Sequence, residues 1–308
     1  MKKDQFQLTL SFITLLVSCI AYLLLPINAS GNYLKTQSFQ QPKIVASIFP
    51  LYYLAKSVGG NYADVTLLLP PGASPHCWEP RPSDMLLLKD ANIILIVGPL
   101  EPWANTVLKG SDTRAVIIRA ADGEKLIRVA PGPKGIDPHI WMDFKWDQHI
   151  TRHICDVLCK IAPQHADYYR KQADRTIEKL RTLDKTYKMV LSRCKNKFLI
   201  IAGHGAFGYL ARAYGLKQIA LSGITPDAMP TAVRMAKIIW FIKKHHIKSF
   251  FYEETGPILA AKTIASETGA IPYPLTPAAS LTRSEIKSKT SFIGLMYKNL
   301  SILKKALY

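Results

Sequence analysis

Asn92-Ile93-Ile94-Leu95-Ile96-Val97 is the stretch whose reading decides the fold. It is too short for a helix and has no polar side, so it reads as a strand apolar on both faces. Such a strand must be covered on both faces, which is the condition of a parallel sheet wrapped by helices. The flanking sequence agrees. On its N-terminal side, a strand at Lys43–Ile48 leads into a helix at Pro50–Val58 that Gly59-Gly60 stops. A second strand, Val65–Leu69, is followed by a proline-rich loop and a helix over Ser83–Ala91. On its C-terminal side, a helix at Glu101–Lys109 precedes a fourth strand at Ala115–Ile118. Strand and helix alternating in this way predict βα units around a parallel sheet.

Farther on, Ile150, Ile154, Val157, Leu158 and Ile161 share one face at helical period. Pro163 then opens a long helix running to about Cys194, roughly 45 Å if unbroken. The alternation resumes with strands at Lys197–Ala202, Lys217–Leu221, Ser249–Glu253 and Ile271–Leu275. Helices between them are expected from Gly205 to Ala213, Pro230 to His245 and Ile258 to Thr268, with a last one over Ser291–Ala306. The predicted fold is α/β, with two small parallel-sheet lobes joined by one long helix and a ligand cleft between them. The expected boundaries are 43–162 for the N-terminal lobe, 163–194 for the linking helix and 195–308 for the C-terminal lobe. No internal repeat is evident at the level of sequence.

The chain of 308 residues carries a formal charge of +18. Its basic residues are dispersed rather than gathered in blocks interleaved with aromatics, so nucleic acid is not the expected partner. Lys2 and Lys3 precede an apolar run from Leu8 to Leu25, and small residues follow at Ala29-Ser30. Residues 1–29 therefore read as an export signal or membrane anchor, and 30–42 as a tether. Cleavage after Ala29, lipidation at Cys19 and an uncleaved anchor are three forms of that reading, and each places the bulk of the chain outside the cytoplasm. Of the remaining cysteines, Cys77, Cys155, Cys159 and Cys194, none has the spacing of a thiolate zinc knuckle. Cys155 and Cys159 stand one helical turn apart, so either a bridge to Cys194 or buried thiols fits the pattern.

Three histidines share one kind of setting. His76 lies in Pro70-Pro71-Gly72-Ala73-Ser74-Pro75-His76, a loop made stiff by proline and tightly turned by glycine. His204 lies in Gly203-His204-Gly205 just past a strand, and His139 in Asp137-Pro138-His139 before a helix. Ligands of open parallel sheets bind beyond the carboxyl ends of strands, so these loops can meet in one cleft. Neutral imidazole is the commonest metal ligand, and three of them suit zinc or a similar borderline ion. Asp137 and Asp143 are candidates to orient His139, and Trp78, Trp103 and Trp141 to wall the cleft. His149 and His153 stand i,i+4 but lack the glutamate of a zinc-protease pattern, so a solvated helix face is expected there. His245-His246 beside Lys243 and Lys244 reads as a basic helix end.

Gly72-Ala73-Ser74-Pro75-His76 with Glu79-Pro80 and Pro82-Ser83-Asp84 resembles the cluster A-I metal-binding substrate-binding proteins of bacterial ABC importers, the zinc and manganese receptors. Asp137 to Asp143, Gly203 to Leu210 with Tyr214-Gly215-Leu216, Phe251-Tyr252-Glu253-Glu254 and the Ile224-Thr225-Pro226 turn are similar to further segments of that family, so the resemblance runs from Lys43 to the C-terminus. It implies His76, His139 and His204 as metal ligands. Where four-ligand members place an aspartate, this chain has Thr276, a poor ligand, which leaves the fourth position to water or to Glu253. A histidine at the third position favours zinc over manganese or iron. The function implied is capture of a divalent metal outside the membrane and delivery to a permease in the inner membrane, by a non-enzymatic, monomeric periplasmic protein. The alternatives are a secreted zinc hydrolase, with Glu79 or Glu253 as general base, and an adhesin or scaffold with a structural metal.

Overall fold

The computed structural model describes residues 40–129, 135–225, 231–254, 256 and 258–308. The leader and tether expectations, the 131–134 stretch and Pro226 lie outside the described residues, apart from positions 40–42. Residues Gln41–Tyr308 form one compact unit. Among the described residues no helix is long and apolar enough to cross a membrane.

Four strands, β1 (Lys43–Ala46), β2 (Asp64–Leu67), β3 (Ile93–Ile96) and β4 (Val116–Arg119), form an all-parallel sheet in the order β2-β1-β3-β4. A second all-parallel sheet joins β5 (Phe198–Ile201), β6 (Lys217–Ala220), β7 (Ser249–Glu253) and β8 (Ile271–Leu275) in the order β6-β5-β7-β8. The two sheets thus have the same strand order, a likeness of topology that the sequence did not display.

Alternation along the strands sorts side chains between two layers. Ile44, Ala46, Ile93 and Leu95 of the first sheet, and Leu199, Ile201 and Phe251 of the second, enter one large core. Val45, Ile94 and Ile96 point the other way, with Leu88 and Trp103. In the second sheet Ile200 and Phe250 do the same, with Ile238 and Ile264. The predicted double-sided burial of 93–96 is complete, each residue being buried.

Helices supply the covering layers. In the first lobe these are α1 (Phe49–Gly59), α2 (Pro82–Asp90), α3 (Ala104–Gly110) and α4 (Phe144–Ile161). The long element is α5 (Ala166–Ser192), 27 residues or about 40 Å, entered through a 3-10 turn at Pro163–His165. The second lobe has α6 (Gly208–Tyr214), α7 (Ala232–Lys244), α8 (Ile258–Thr268), α9 (Arg283–Lys287) and α10 (Phe292–Leu307). Helix α5 packs against α1, α4 and α10. Tyr187 on α5 donates to the Met296 carbonyl of α10. The returning chain adds further ties. Phe49 N donates to Ala279 O (3.0 Å), Gly72 N to Leu281 O (3.0 Å) and the Trp141 indole to Pro277 O (2.7 Å).

Two local differences from the sequence reading have clear causes. The helix expected from Glu101 starts at Ala104, because the Glu101 carboxylate turns inward and accepts from Ser47 Oγ, Val97 N and Gly98 N. Burial raises its pKa, and those same bonds work in the opposite direction. The short α9 was not anticipated. Five mostly polar residues carry no apolar period; what defines it is the Thr282–Glu285 capping box.

Candidate metal centre

His76 sits in the loop between β2 and α2. Backbone bonds from Cys77 N (3.4 Å) and Trp78 N (3.1 Å) to Ser74 O tighten the turn that carries it. Gly72 at the apex has φ 74, which glycine adopts without strain, and its N–H also reaches Ser280 Oγ (3.0 Å). His139 stands at the head of a 3-10 turn, Ile140–Met142, that leads into α4. His204 follows β5, where Gly205 N donates to Gly223 O (2.7 Å). Three loops therefore deliver three rings, each held by its own short-range bonds.

The rings converge. Nε2 of His139 lies 3.2 Å from Nε2 of His76 and 3.2 Å from Nε2 of His204. These three residues form the one His/Cys/Asp/Glu cluster among the described residues able to hold a metal. Zinc–nitrogen bonds of about 2.0–2.1 Å at tetrahedral angles separate two donors by about 3.3 Å, so the spacing suits a shared ion.

Two carboxylates fix which nitrogen faces that point. Asp137 Oδ1 accepts from both the backbone N (3.0 Å) and Nδ1 (2.8 Å) of His139. Glu253 Oε1 does the same for His204, at 2.9 and 2.6 Å. An ionised carboxylate only accepts, so each Nδ1 carries the proton and each Nε2 keeps its lone pair for the centre. Burial pushes the His76 pKa down to about 2, helped by the two neighbouring imidazoles. His139 is likewise lowered, by burial against the opposing pull of Asp137. Neutral imidazoles are the metal-binding form.

The seats of both carboxylates depend on glycine. A Cβ on Gly203 would collide with Glu253 Oε1, and one on Gly208 with Asp137 Oδ2. Tyr209 ties the same segment down by donating to the Asp137 carbonyl (3.0 Å). Gly208 and Tyr209 lie in the segment Gly203 to Leu210 that resembles the family, but the sequence reading gave them no role at the site. Their spacing from Asp137 gives no sign of contact.

Other expected residues are placed as follows. Asp143 does not orient His139; its carboxylate caps α4 through Lys145 N (3.1 Å). Trp141 packs edge-on to His139 at 5.3 Å between ring centroids. Trp78 meets Trp103 edge-on, but Trp103 is only 5% exposed and belongs to the outer core rather than the cleft wall. Thr276 Oγ1 accepts from Ala278 N (3.0 Å), while its backbone pairs with Asn299. His149 lies on the solvent face near Glu124 (3.6 Å). His245 caps the C-terminal end of α7 after Lys243 and Lys244, the basic helix end expected, and its ring packs on Phe241 at 4.3 Å. Cys155, Cys159 and Cys194 are unbridged, with the Cys155 and Cys159 sulfurs 3.9 Å apart.

Two matched parallel-sheet lobes with imidazoles from both meeting at one point define a cluster A-I metal-binding substrate-binding protein. The family described as the periplasmic zinc-uptake complex component A, ZnuA, matches residues 44–306, and the chain belongs to it. The chain is 31% identical over 278 residues to the high-affinity zinc uptake system protein ZnuA of Bacillus subtilis, covering 86% of this chain and 87% of that one. It is 33% identical over 285 residues to the zinc-binding protein AdcA of Streptococcus pyogenes, covering 85% of this chain and 55% of that protein. It therefore spans about half the length of the AdcA relatives it matches. Among solved structures, the Zn(II)-bound ZnuA-like domain of Streptococcus pneumoniae AdcA superposes with a TM-score of 0.77 at 34% identity, over 87% of this chain and 99% of that one.

Proposed function

We propose that this protein is the extracytoplasmic receptor of a zinc importer. It captures one divalent ion, with zinc preferred over manganese or iron, through His76, His139 and His204. Glu253 orients His204, and water completes the tetrahedron. The observation that carries this reading is the 3.2 Å spacing of the His139 Nε2 from the Nε2 atoms of His76 and His204, with two of the three rings aimed by carboxylates through Nδ1. All-nitrogen ligation favours zinc, since manganese prefers oxygen donors.

The protein acts as a monomer that delivers its ion to an ABC permease in the inner membrane and performs no catalysis. In support, the Glu253 oxygen that faces His204 already accepts from its Nδ1. The relatives named above are zinc-binding or zinc-uptake proteins. The working units are an N-terminal lobe at 43–162, the helix at 163–194 and a C-terminal lobe at 195–308. Residues 1–29 direct export or anchor the chain.

The test is competition of zinc against manganese on the purified protein, with metal content measured directly. One zinc per chain is expected, together with selection of zinc over manganese. Full-affinity zinc binding by a His76→Ala/His139→Ala/His204→Ala variant overturns the site.

A further inference from the structure

Helix α7 turns Ile238 and Ile242 into the core and leaves its other side in solvent. That side carries Val233, Lys237, Trp240 and Lys244 at i, i+4, i+7 and i+11, one continuous stripe. Val233 is 64% and Trp240 57% exposed. Lys244 Nζ lies 4.4 Å over the Trp240 ring. The helix has four basic residues, Arg234, Lys237, Lys243 and Lys244, and no acidic one. Beside it packs α8, whose first two residues, Ile258 and Leu259, are 50% and 73% exposed and whose Lys262 is exposed. The one acidic side chain on the pair is Glu267, near Lys243 (4.0 Å).

We infer that the outer face of α7 and α8 rests on an anionic phospholipid surface. A tryptophan with aliphatic neighbours among exposed lysines is the composition of a helix lying at a membrane interface. The indole sits at headgroup depth while lysines extend their stems and reach anionic headgroups. The exposed cations of this face are spread over two helices rather than gathered at one point, which suits diffuse lipid charge better than a shaped acidic protein. The net charge of +18 adds a long-range attraction of the same sign. An uncleaved anchor at Leu8–Leu25 and a lipid at Cys19, two of the three readings of the leader, each hold the chain at a bilayer. This inference is independent of the metal site, which these residues do not touch.

The test uses the full chain on vesicles of brominated phosphatidylcholine, either alone or mixed with anionic phosphatidylglycerol. Quenching of tryptophan fluorescence is read in wild type, Trp240→Phe and a Lys237→Gln/Lys244→Gln variant. Wild type is expected to be quenched on the anionic vesicles only. The quenched component disappears in Trp240→Phe. In the lysine variant it requires about 25-fold more lipid, about fivefold for each basic residue removed. High salt abolishes it. Circular dichroism and zinc binding remain those of wild type in both variants. Equal quenching on neutral vesicles, or undiminished quenching in Trp240→Phe, overturns the inference. So does absence of quenching on anionic vesicles, which leaves the face to an acidic protein partner.

Discussion

Glu253, the last residue of β7, holds His204 with a single oxygen that accepts from both its backbone N and its Nδ1, 49 positions away in sequence. Asp137 holds His139 by the same device from only two positions away. One device thus sets two of the three converging rings, once locally and once across the second sheet.

The first prediction separates an orienting role for Glu253 from direct ligation. Glu253→Gln keeps an acceptor for Nδ1–H and is expected to weaken zinc binding by about tenfold or less. Glu253→Ala and Asp137→Ala are expected to weaken it by about 10–100-fold, the usual range for a lost orienting partner. Each of the three histidine-to-alanine variants should exceed that. Competition titration with a chelator reads all six, and Glu253→Gln matching His204→Ala would show that Glu253 binds the ion itself.

The glycines beside these carboxylates give a second prediction. Gly203→Ala drives a Cβ into Glu253, and Gly208→Ala does so into Asp137, so both should lower zinc affinity toward the level of the carboxylate variants. Gly215, the αL cap of α6, has open space around it, and Gly215→Ala introduces only backbone strain at φ 67. It should destabilise the fold by about 1 kcal/mol or somewhat more and leave zinc affinity unchanged. Thermal melts paired with zinc titrations make the distinction.

Asp147 yields a pH prediction. Its Oδ2 is buried without a hydrogen-bond partner among the described residues, and burial, aided by the Asp143 charge, raises its pKa well above the ordinary value. The folded protein then keeps a proton that the unfolded chain releases above about pH 4. Stability from this group is full below that pH and is lost as pH rises toward the folded pKa. Asp147→Asn removes the titration. The variant should gain on wild type between pH 5 and 8, with the larger gain at pH 8. Melting temperatures across that range test it, and a gap that narrows with rising pH contradicts the assignment.

Interlobe motion should be small. The large core runs through both sheets, and Trp141–Pro277, Phe49–Ala279 and Gly72–Leu281 tie the returning chain to the first lobe. Loading the ion is expected to tilt the lobes slightly rather than open and close them. Small-angle scattering of metal-free and zinc-loaded protein should give nearly superposable profiles. A large change in radius of gyration would mean the shared core comes apart.

Local pattern was enough for the sheet elements and for the loops that bear the histidines. The apolar run Asn92–Val97 required cover on two sides, and Ser249–Glu253, Ile258–Thr268 and Ile271–Leu275 were readable to the residue from apolar content and punctuation. These signals act over a few neighbours, and the sequence contains all of them. Partner choice across long separations was not readable in that way. Nothing in the chain order says that Gly208 must make room for Asp137, that Glu101 turns inward to Ser47, or that Asp143 caps a helix while Asp137 holds a ring. Those outcomes depend on which surfaces packing brings together, and on the desolvation that makes one buried carboxylate take a particular donor. The sequence by itself determined three rigid, histidine-bearing loops at the ends of strands and helices. Only the tertiary structure decided that their nitrogens meet at the spacing of a single ion, because that distance is set by the shared core rather than by any one loop.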